Sequence, residues 1–169
     1  TKRRSQVQLL YPPPPSPAEP AEAAAAPAPG CPGWVTVREN GLSYSFDMTK
    51  SMFSSGNVSE KARIARMDCR GEMVVDLYAG IGYYTLPLAV HGRAERVVAC
   101  EWNTDAIAAL RVNLMANGVE GVVEVLEGDN RVTSLGLPDM CAHRVHLGLI
   151  PSSEEGWPIA ARLLREEGG

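Results

Sequence analysis

The sequence predicts an α/β fold, a doubly wound Rossmann-like sheet preceded by a β-hairpin. Residues 74 to 82, Val-Val-Asp-Leu-Tyr-Ala-Gly-Ile-Gly, read as a buried strand that ends in an acid and runs into a glycine turn. A second apolar run, Arg-Val-Val-Ala-Cys-Glu, ends in Glu101, 25 positions after Asp76. Upstream, Asn40-Gly41 separates two alternating runs, and both residues tolerate the positive φ of a tight hairpin turn.

Each element follows from a local pattern. Trp-Val-Thr-Val-Arg-Glu and Leu-Ser-Tyr-Ser-Phe-Asp form the hairpin over 34–47, with Leu42, Tyr44 and Phe46 on one face. Over 58–69, Val58, Ala62, Ala65 and Cys69 recur at helical spacing, giving an amphipathic helix begun near Asn57 or Ser59. Strands are expected at 73–77, 96–101, 121–126 and 144–150, with helices near 83–91, 103–116 and 157–166. Asn103 caps the second of these helices and Asn117-Gly118 ends it, while Pro158 suits the first turn of the last. Strands alternating with helices pair in parallel through right-handed crossovers. The chain stops at Gly168-Gly169, where a helix would hand over to a fifth strand, so a sheet truncated after its fourth strand is expected, as in part of a longer protein.

Composition separates two regions. Residues 12–33 hold nine of the 13 prolines and an alanine run at 23–26, so 1–33 is expected to be a disordered Pro/Ala-rich segment and 34–169 a single domain. Hydrophobic residues at 45% and charged residues at 21% are ordinary for a globular chain with a real core. No apolar run reaches the roughly 18 residues of a membrane span, and Thr1 to Leu10 lack a signal-peptide core, so a cytoplasmic location is expected. Cys31, Cys69, Cys100 and Cys141 form no C-x-x-C pair, and His91, His143 and His146 show no metal spacing, so no metal is expected. Cys100 lies inside an apolar strand and reads as a buried free thiol.

A net charge of −4 argues against nucleic-acid binding by bulk electrostatics. The cations are nonetheless uneven. Lys50, Lys61, Arg63, Arg66 and Arg70 fall in a stretch with only Glu60 and Asp68 as acids, which fits either a solvated helix face or an anion-binding patch.

The strand ends carry the chemistry. Gly80 and Gly82 permit a sharp turn and close approach to a ligand, but Thr85 replaces the third glycine of a dinucleotide fingerprint. A pyrophosphate at that turn would be repelled by Asp76, whereas a ligand bearing an ammonium and a sulfonium would be attracted. S-adenosylmethionine is such a ligand. Glu101 can accept both ribose hydroxyls, or it can serve as a helix-capping acid. Asp129 and Asn130, after the third strand, can hydrogen-bond an adenine edge or make an Asx turn. Ser152 and Ser153 lie at the same pocket edge and can touch substrate, or Glu154 and Glu155 can simply open the last helix.

Several of these stretches together carry a resemblance. Met52-Phe-Ser-Ser-Gly-Asn-Val-Ser-Glu-Lys61, Asp76-Leu-Tyr-Ala-Gly-Ile-Gly-Tyr-Tyr-Thr-Leu-Pro87, Ala99-Cys-Glu-Trp-Asn103, Gly128-Asp-Asn-Arg131 and Leu147-Gly-Leu-Ile-Pro-Ser-Ser-Glu-Glu-Gly-Trp-Pro158 are similar to the family of tRNA guanine-N1 methyltransferases and wybutosine-synthesizing transferases. The similarity runs from about Cys31 to Gly169. It implies a class I methyltransferase sheet and S-adenosylmethionine as donor. It also implies transfer of the α-amino-α-carboxypropyl group to the wybutosine precursor 4-demethylwyosine, at the position 3′ of the anticodon in phenylalanine tRNA. Guanine-N1 methylation is the alternative within the family, and a catalytically incomplete cofactor- or partner-binding remnant is the alternative outside it. By position, the resemblance implies that Ser54 and Lys61 contact the donor, Lys61 through its carboxylate, that Glu101 holds the ribose, and that Asp129 and Asn130 bind the adenine end. No catalytic side chain is implied. His146 stands where the resemblance leads one to expect asparagine, and the family's upstream tRNA-binding domain and final strands are not in the chain.

Overall fold

Asn40 and Gly41 reverse the chain with φ of 51° and 78°, as a two-residue hairpin turn requires. They join β1 (Trp34–Glu39) to β2 (Leu42–Asp47) in an antiparallel ladder running from Trp34↔Asp47 to Glu39↔Leu42. This computed structural model describes residues 32–53 and 55–166. Ser54, most of the Pro/Ala-rich segment and Gly168-Gly169 therefore lie outside the described residues.

The remaining elements are α1 (Val58–Ile64), β3 (Met73–Asp76), β4 (Arg96–Glu101), α2 (Thr104–Ala116), β5 (Val123–Glu127), α3 (Asn130–Thr133), β6 (Arg144–His146) and α4 (Trp157–Leu163). β3 to β6 form one parallel sheet in the order β5-β4-β3-β6. The chain steps outward from β3 to β5 and then returns to the other side of β3, so the order reverses between β3 and β6. In open α/β sheets such a reversal is where ligands bind, outside the strands' carboxyl ends. Val74 and Val97 point into one apolar cluster with Leu42, Tyr44, Phe46, Leu86 and Leu110. Val75 and Val98 point into a second with Leu137, Ala142 and Leu163. All four valines are buried, so both faces are covered, as a parallel sheet demands.

The hairpin docks through two amides on α2. Asn113 Oδ1 accepts from Ser45 N at 2.6 Å while its Nδ2 donates to Ile81 O at 2.9 Å. One turn on, Asn117 accepts from Ser43 N at 3.0 Å and donates to Ser43 O at 2.8 Å. These bonds satisfy the edge of β2 that has no strand neighbour.

Four expectations need correction. The helix expected over 58–69 ends at Ile64, and its buried face carries Lys61 and Ile64, while Val58 is exposed. Burial of Lys61 against a carboxylate and three aromatic rings overrides the hydropathy pattern. The strand expected over 144–150 keeps only Arg144–His146, because Leu147 onward leaves the sheet towards a cis Ile150–Pro151 bond. The helix expected near 83–91 is present but starts later and widens to a π-helix over Pro87–His91, with Gly92 N bonding back to Pro87 O. The last helix stops at Leu163, after which Leu164 extends and bridges Ala142 in parallel. α3 was not anticipated at all.

Candidate functional site

The carboxyl edge of β3 and β4 is built around the glycine turn. Gly80 and Gly82 adopt φ of 58° and 102°, conformations that side chains rarely take. A Cβ on Gly82 would lie 3.1 Å from Leu110 and Leu86, and one on Gly80 would lie 3.1 Å from the Tyr83 ring. The turn is thus pressed onto α2, with Gly82 N donating to Ala79 O at 2.9 Å.

Glu101 closes this turn. Its Oε2 accepts from Gly80 N at 2.8 Å, and its Oε1 accepts from Trp102 N at 2.8 Å and Asn103 N at 2.7 Å. A carboxylate offers about four acceptor sites, so three are engaged and capture of a vicinal diol draws on the fourth and on the Gly80 bond. Burial raises the Glu101 pKa above the usual carboxylate range, with the three backbone N–H groups opposing that shift. Any ligand that needs the ionised carboxylate as acceptor is lost as pH falls, and the loss begins at a higher pH than an ordinary glutamate would give. Calorimetric titration with S-adenosylmethionine from pH 8 down to pH 5 is expected to show affinity declining before an ordinary carboxylate, near pKa ~4.3, would protonate.

Asp76 is fully buried at the end of β3. Its Oδ2 accepts from Thr85 Oγ1 at 2.8 Å and its Oδ1 from Tyr78 N at 3.3 Å. His146, its partner in the β3–β6 register, places Nδ1 3.5 Å from Asp76 Oδ1, with no hydrogen-bond partner for that buried nitrogen. The imidazole also packs on Tyr84, ring centroids 4.1 Å apart. Gly148 makes room for both, since a Cβ there would meet His146 Cε1 at 2.8 Å.

Asn130 joins the same edge by donating from Nδ2 to Leu77 O at 2.7 Å. Asp129 caps α3 by accepting from Arg131 N at 2.9 Å, and the Arg131 guanidinium holds its carboxyl below the usual range. Arg131 also reaches Glu155 at 3.4 Å.

Lys61 sits on the hairpin side. Its side chain is 1% exposed, with Nζ 2.9 Å from Glu39 Oε1 and 4.6 Å from the Phe53 ring centroid. Tyr44 and Tyr83 complete the aromatic enclosure at 5.7 and 5.5 Å. Tyr83 follows Gly82 directly and its hydroxyl donates to Met52 O, so one ring separates the lysine from the glycine turn.

Asp76, Gly80, Gly82, Glu101 and Asn130 are therefore held at one sheet edge, Gly80 bonded directly to Glu101, Asp76 to Tyr78 N and Asn130 to Leu77 O, with Asp129 beside them. Lys61 lies behind Tyr83, and Ser54 is outside the described residues. The sequence marked Thr85 only as a missing glycine and not as the partner of Asp76, and it gave no role to Tyr84 or Asn113, although Asn113 carried a signal, being a polar residue on the stripe Ala106, Leu110, Asn113 and Leu114 that α2 buries. Burial pushes the Cys100 thiol up to about 12, so it is no nucleophile. Among the described residues no cluster of His, Cys, Asp or Glu is arranged to hold a metal ion, and no helix is long and apolar enough to cross a membrane. The edge offers a cramped glycine cradle beside a desolvated acceptor carboxylate.

The TRM5/TYW2 methyltransferase domain matches residues 35–169. A tRNA wybutosine-synthesizing protein 2 homolog from Danio rerio is 62% identical over 135 residues, covering 80% of this chain and 32% of that protein. The chain thus spans about a third of the length of this curated relative. Among solved structures, P. horikoshii TYW2 in complex with MeSAdo is 34% identical with a TM-score of 0.73, over 79% of this chain and 49% of that one. M. jannaschii TYW2 in complex with AdoMet is 31% identical with a TM-score of 0.73, over 79% of this chain and 59% of that one.

Proposed function

This chain belongs to the TRM5/TYW2 methyltransferase family, and from that membership we propose that its residues 34–169 are the donor-binding domain of a tRNA-modifying transferase. The reaction moves the α-amino-α-carboxypropyl group of S-adenosylmethionine to 4-demethylwyosine, 3′ of the anticodon in phenylalanine tRNA, in the cytoplasm. The observation that carries this reading is the Gly80 N to Glu101 Oε2 bond at the carboxyl edge of the sheet. It sets an acceptor carboxylate against the glycine turn, next to the point where strand order reverses.

In this reading Glu101 takes the ribose hydroxyls, Gly80 and Gly82 let the backbone approach, and Asp129 with Asn130 faces the adenine end. Lys61 and Ser54 serve the amino-acid end, with Asp76 supplying negative charge near the sulfonium and ammonium. The donor's sulfonium activates every carbon attached to it. The chain's task is therefore to present one of those carbons to the acceptor and exclude the others, which is catalysis by orientation. The relatives named for wybutosine synthesis and the TYW2 complexes with AdoMet and MeSAdo support this choice of donor and product.

The test is incubation of the chain with S-adenosylmethionine and precursor-bearing phenylalanine tRNA, followed by mass spectrometry of the nucleoside and of the spent donor. A four-carbon amino-acid adduct with methylthioadenosine is the expected result. A methyl adduct with S-adenosylhomocysteine would instead identify a methyltransferase, and donor binding without either product would leave a binding remnant.

A further inference from the structure

We propose that Arg66 and Arg93 form a docking site for the sugar–phosphate backbone of RNA, on the flank of the domain below α1. A surface depression there is lined by Arg66, Asp68, Arg70, His91 and Arg93. Its two walls, the chain leaving α1 and the turn at Gly92, are clamped together by Cys69 N donating to Gly92 O at 2.8 Å. The arginines on them are held in a fixed relation.

Most arginines among the described residues carry a carboxylate. Arg63 pairs with Glu60, Arg70 with Asp68, Arg96 with Glu124, Arg111 with Glu127, Arg131 with Asp129, Arg144 with Glu72 and Arg162 with Asp139. Among the described residues Arg38, Arg66, Arg93 and Arg165 have no carboxylate within salt-bridge distance, although the chain as a whole is acidic, and of these four Arg66 and Arg93 share this depression. Proximity to the carboxyl end of α1 rationalises a cation at Arg66. It does not rationalise Arg93, whose φ of 57° lies in the left-handed region where glycine or asparagine is the cheaper occupant. An arginine kept at a backbone conformation that disfavours it points to use of the side chain.

The position fits a polyanion whose modified base lies at the carboxyl edge of the sheet. α1 runs beside the glycine turn of that edge, where Lys61 Nζ lies 5.5 Å from the ring centroid of Tyr83, the residue after Gly82. Its seven residues descend about 10 Å towards the depression at 1.5 Å per residue. Backbone flanking the base can therefore reach both arginines, each of which offers a planar fork to phosphate oxygens. This inference rests on tRNA being the substrate.

The experiment is binding of phenylalanine tRNA to the 169-residue chain between 50 and 200 mM salt, by fluorescence anisotropy, for wild type, the Arg66→Ala/Arg93→Ala double variant and Arg111→Ala. The double variant is expected to bind roughly tenfold more weakly at the lowest salt. Its log–log salt slope should be shallower by roughly 1 per arginine removed. Arg111→Ala should match wild type, and the heat of S-adenosylmethionine binding should be the same in all three. A double variant with wild-type affinity and slope overturns the docking site, and leaves the transferase reading intact if the tRNA is still modified. A wild-type chain that neither binds nor modifies tRNA overturns both. Preference for phosphatidylserine vesicles over tRNA would reassign the patch to a membrane surface and overturn it too.

Discussion

Replacing Glu101 with alanine is expected to weaken S-adenosylmethionine binding by roughly 100-fold, read as loss of heat in a calorimetric titration. Two hydrogen bonds from ribose to an ionised acceptor contribute about 1.5–3 kcal/mol each, and ~3 kcal/mol corresponds to about two decades in Kd. The alanine variant also frees Gly80 N, which Glu101 holds at 2.8 Å, so the turn loses its anchor to β4 along with the ligand contact. Glu101→Gln keeps the shape but turns an N–H group towards Gly80 N on one side or towards Trp102 N and Asn103 N on the other. It should bind weakly as well, unlike a substitution at a site where only size matters. An alanine variant that binds the donor as tightly as wild type would remove Glu101 from the ribose role.

Asn113→Ala should destabilise the fold by about 2–4 kcal/mol, because Ser45 N–H and Ile81 C=O both lose their partner in a fully buried place and each bare group costs about 1–3 kcal/mol. For a chain of this length that lowers the melting temperature by on the order of 10 °C. Asn113→Asp separates the two bonds. It keeps an acceptor for Ser45 N–H but sets a carboxylate oxygen against Ile81 O, so it should be at least as damaging as alanine. A drop of only one or two degrees in both variants would show that water or local relaxation satisfies the freed groups.

Backbone-coded features were legible in the sequence. Asn40-Gly41 announced the hairpin because φ of 51° and 78° is tolerated by few other pairs, and the run from Arg96 to Glu101 could only be a buried strand bounded by charges. The acid at each strand end placed Asp76 and Glu101 at the carboxyl edge of the sheet, where the strands end. The fate of charged side chains was hidden. Lys61 reads as one more surface cation on an amphipathic helix, and only tertiary contact with Glu39, Phe53, Tyr44 and Tyr83, far from it in sequence, makes burial favourable. The apolar run after His146 was ambiguous in the same way. Leu-Gly-Leu-Ile reads as strand whether it pairs or merely covers, and the fit of Gly148 over His146 and Tyr84 decides the matter. α3, with four residues, is too short to show periodicity.

The Asn113 amide joins three segments that are distant in sequence: the hairpin, α2 and the glycine turn. Thermodynamic linkage makes such a junction reciprocal. Whatever quiets the turn at Ile81 also lowers the population in which β2 lifts from α2, and hydrogen exchange at the Ser45 amide, far from Gly80 along the chain, becomes a gauge of occupancy at the sheet edge. The hairpin, which contributes no side chain to the carboxyl edge of β3 and β4, is in this sense the part of the molecule that registers whether that edge is filled.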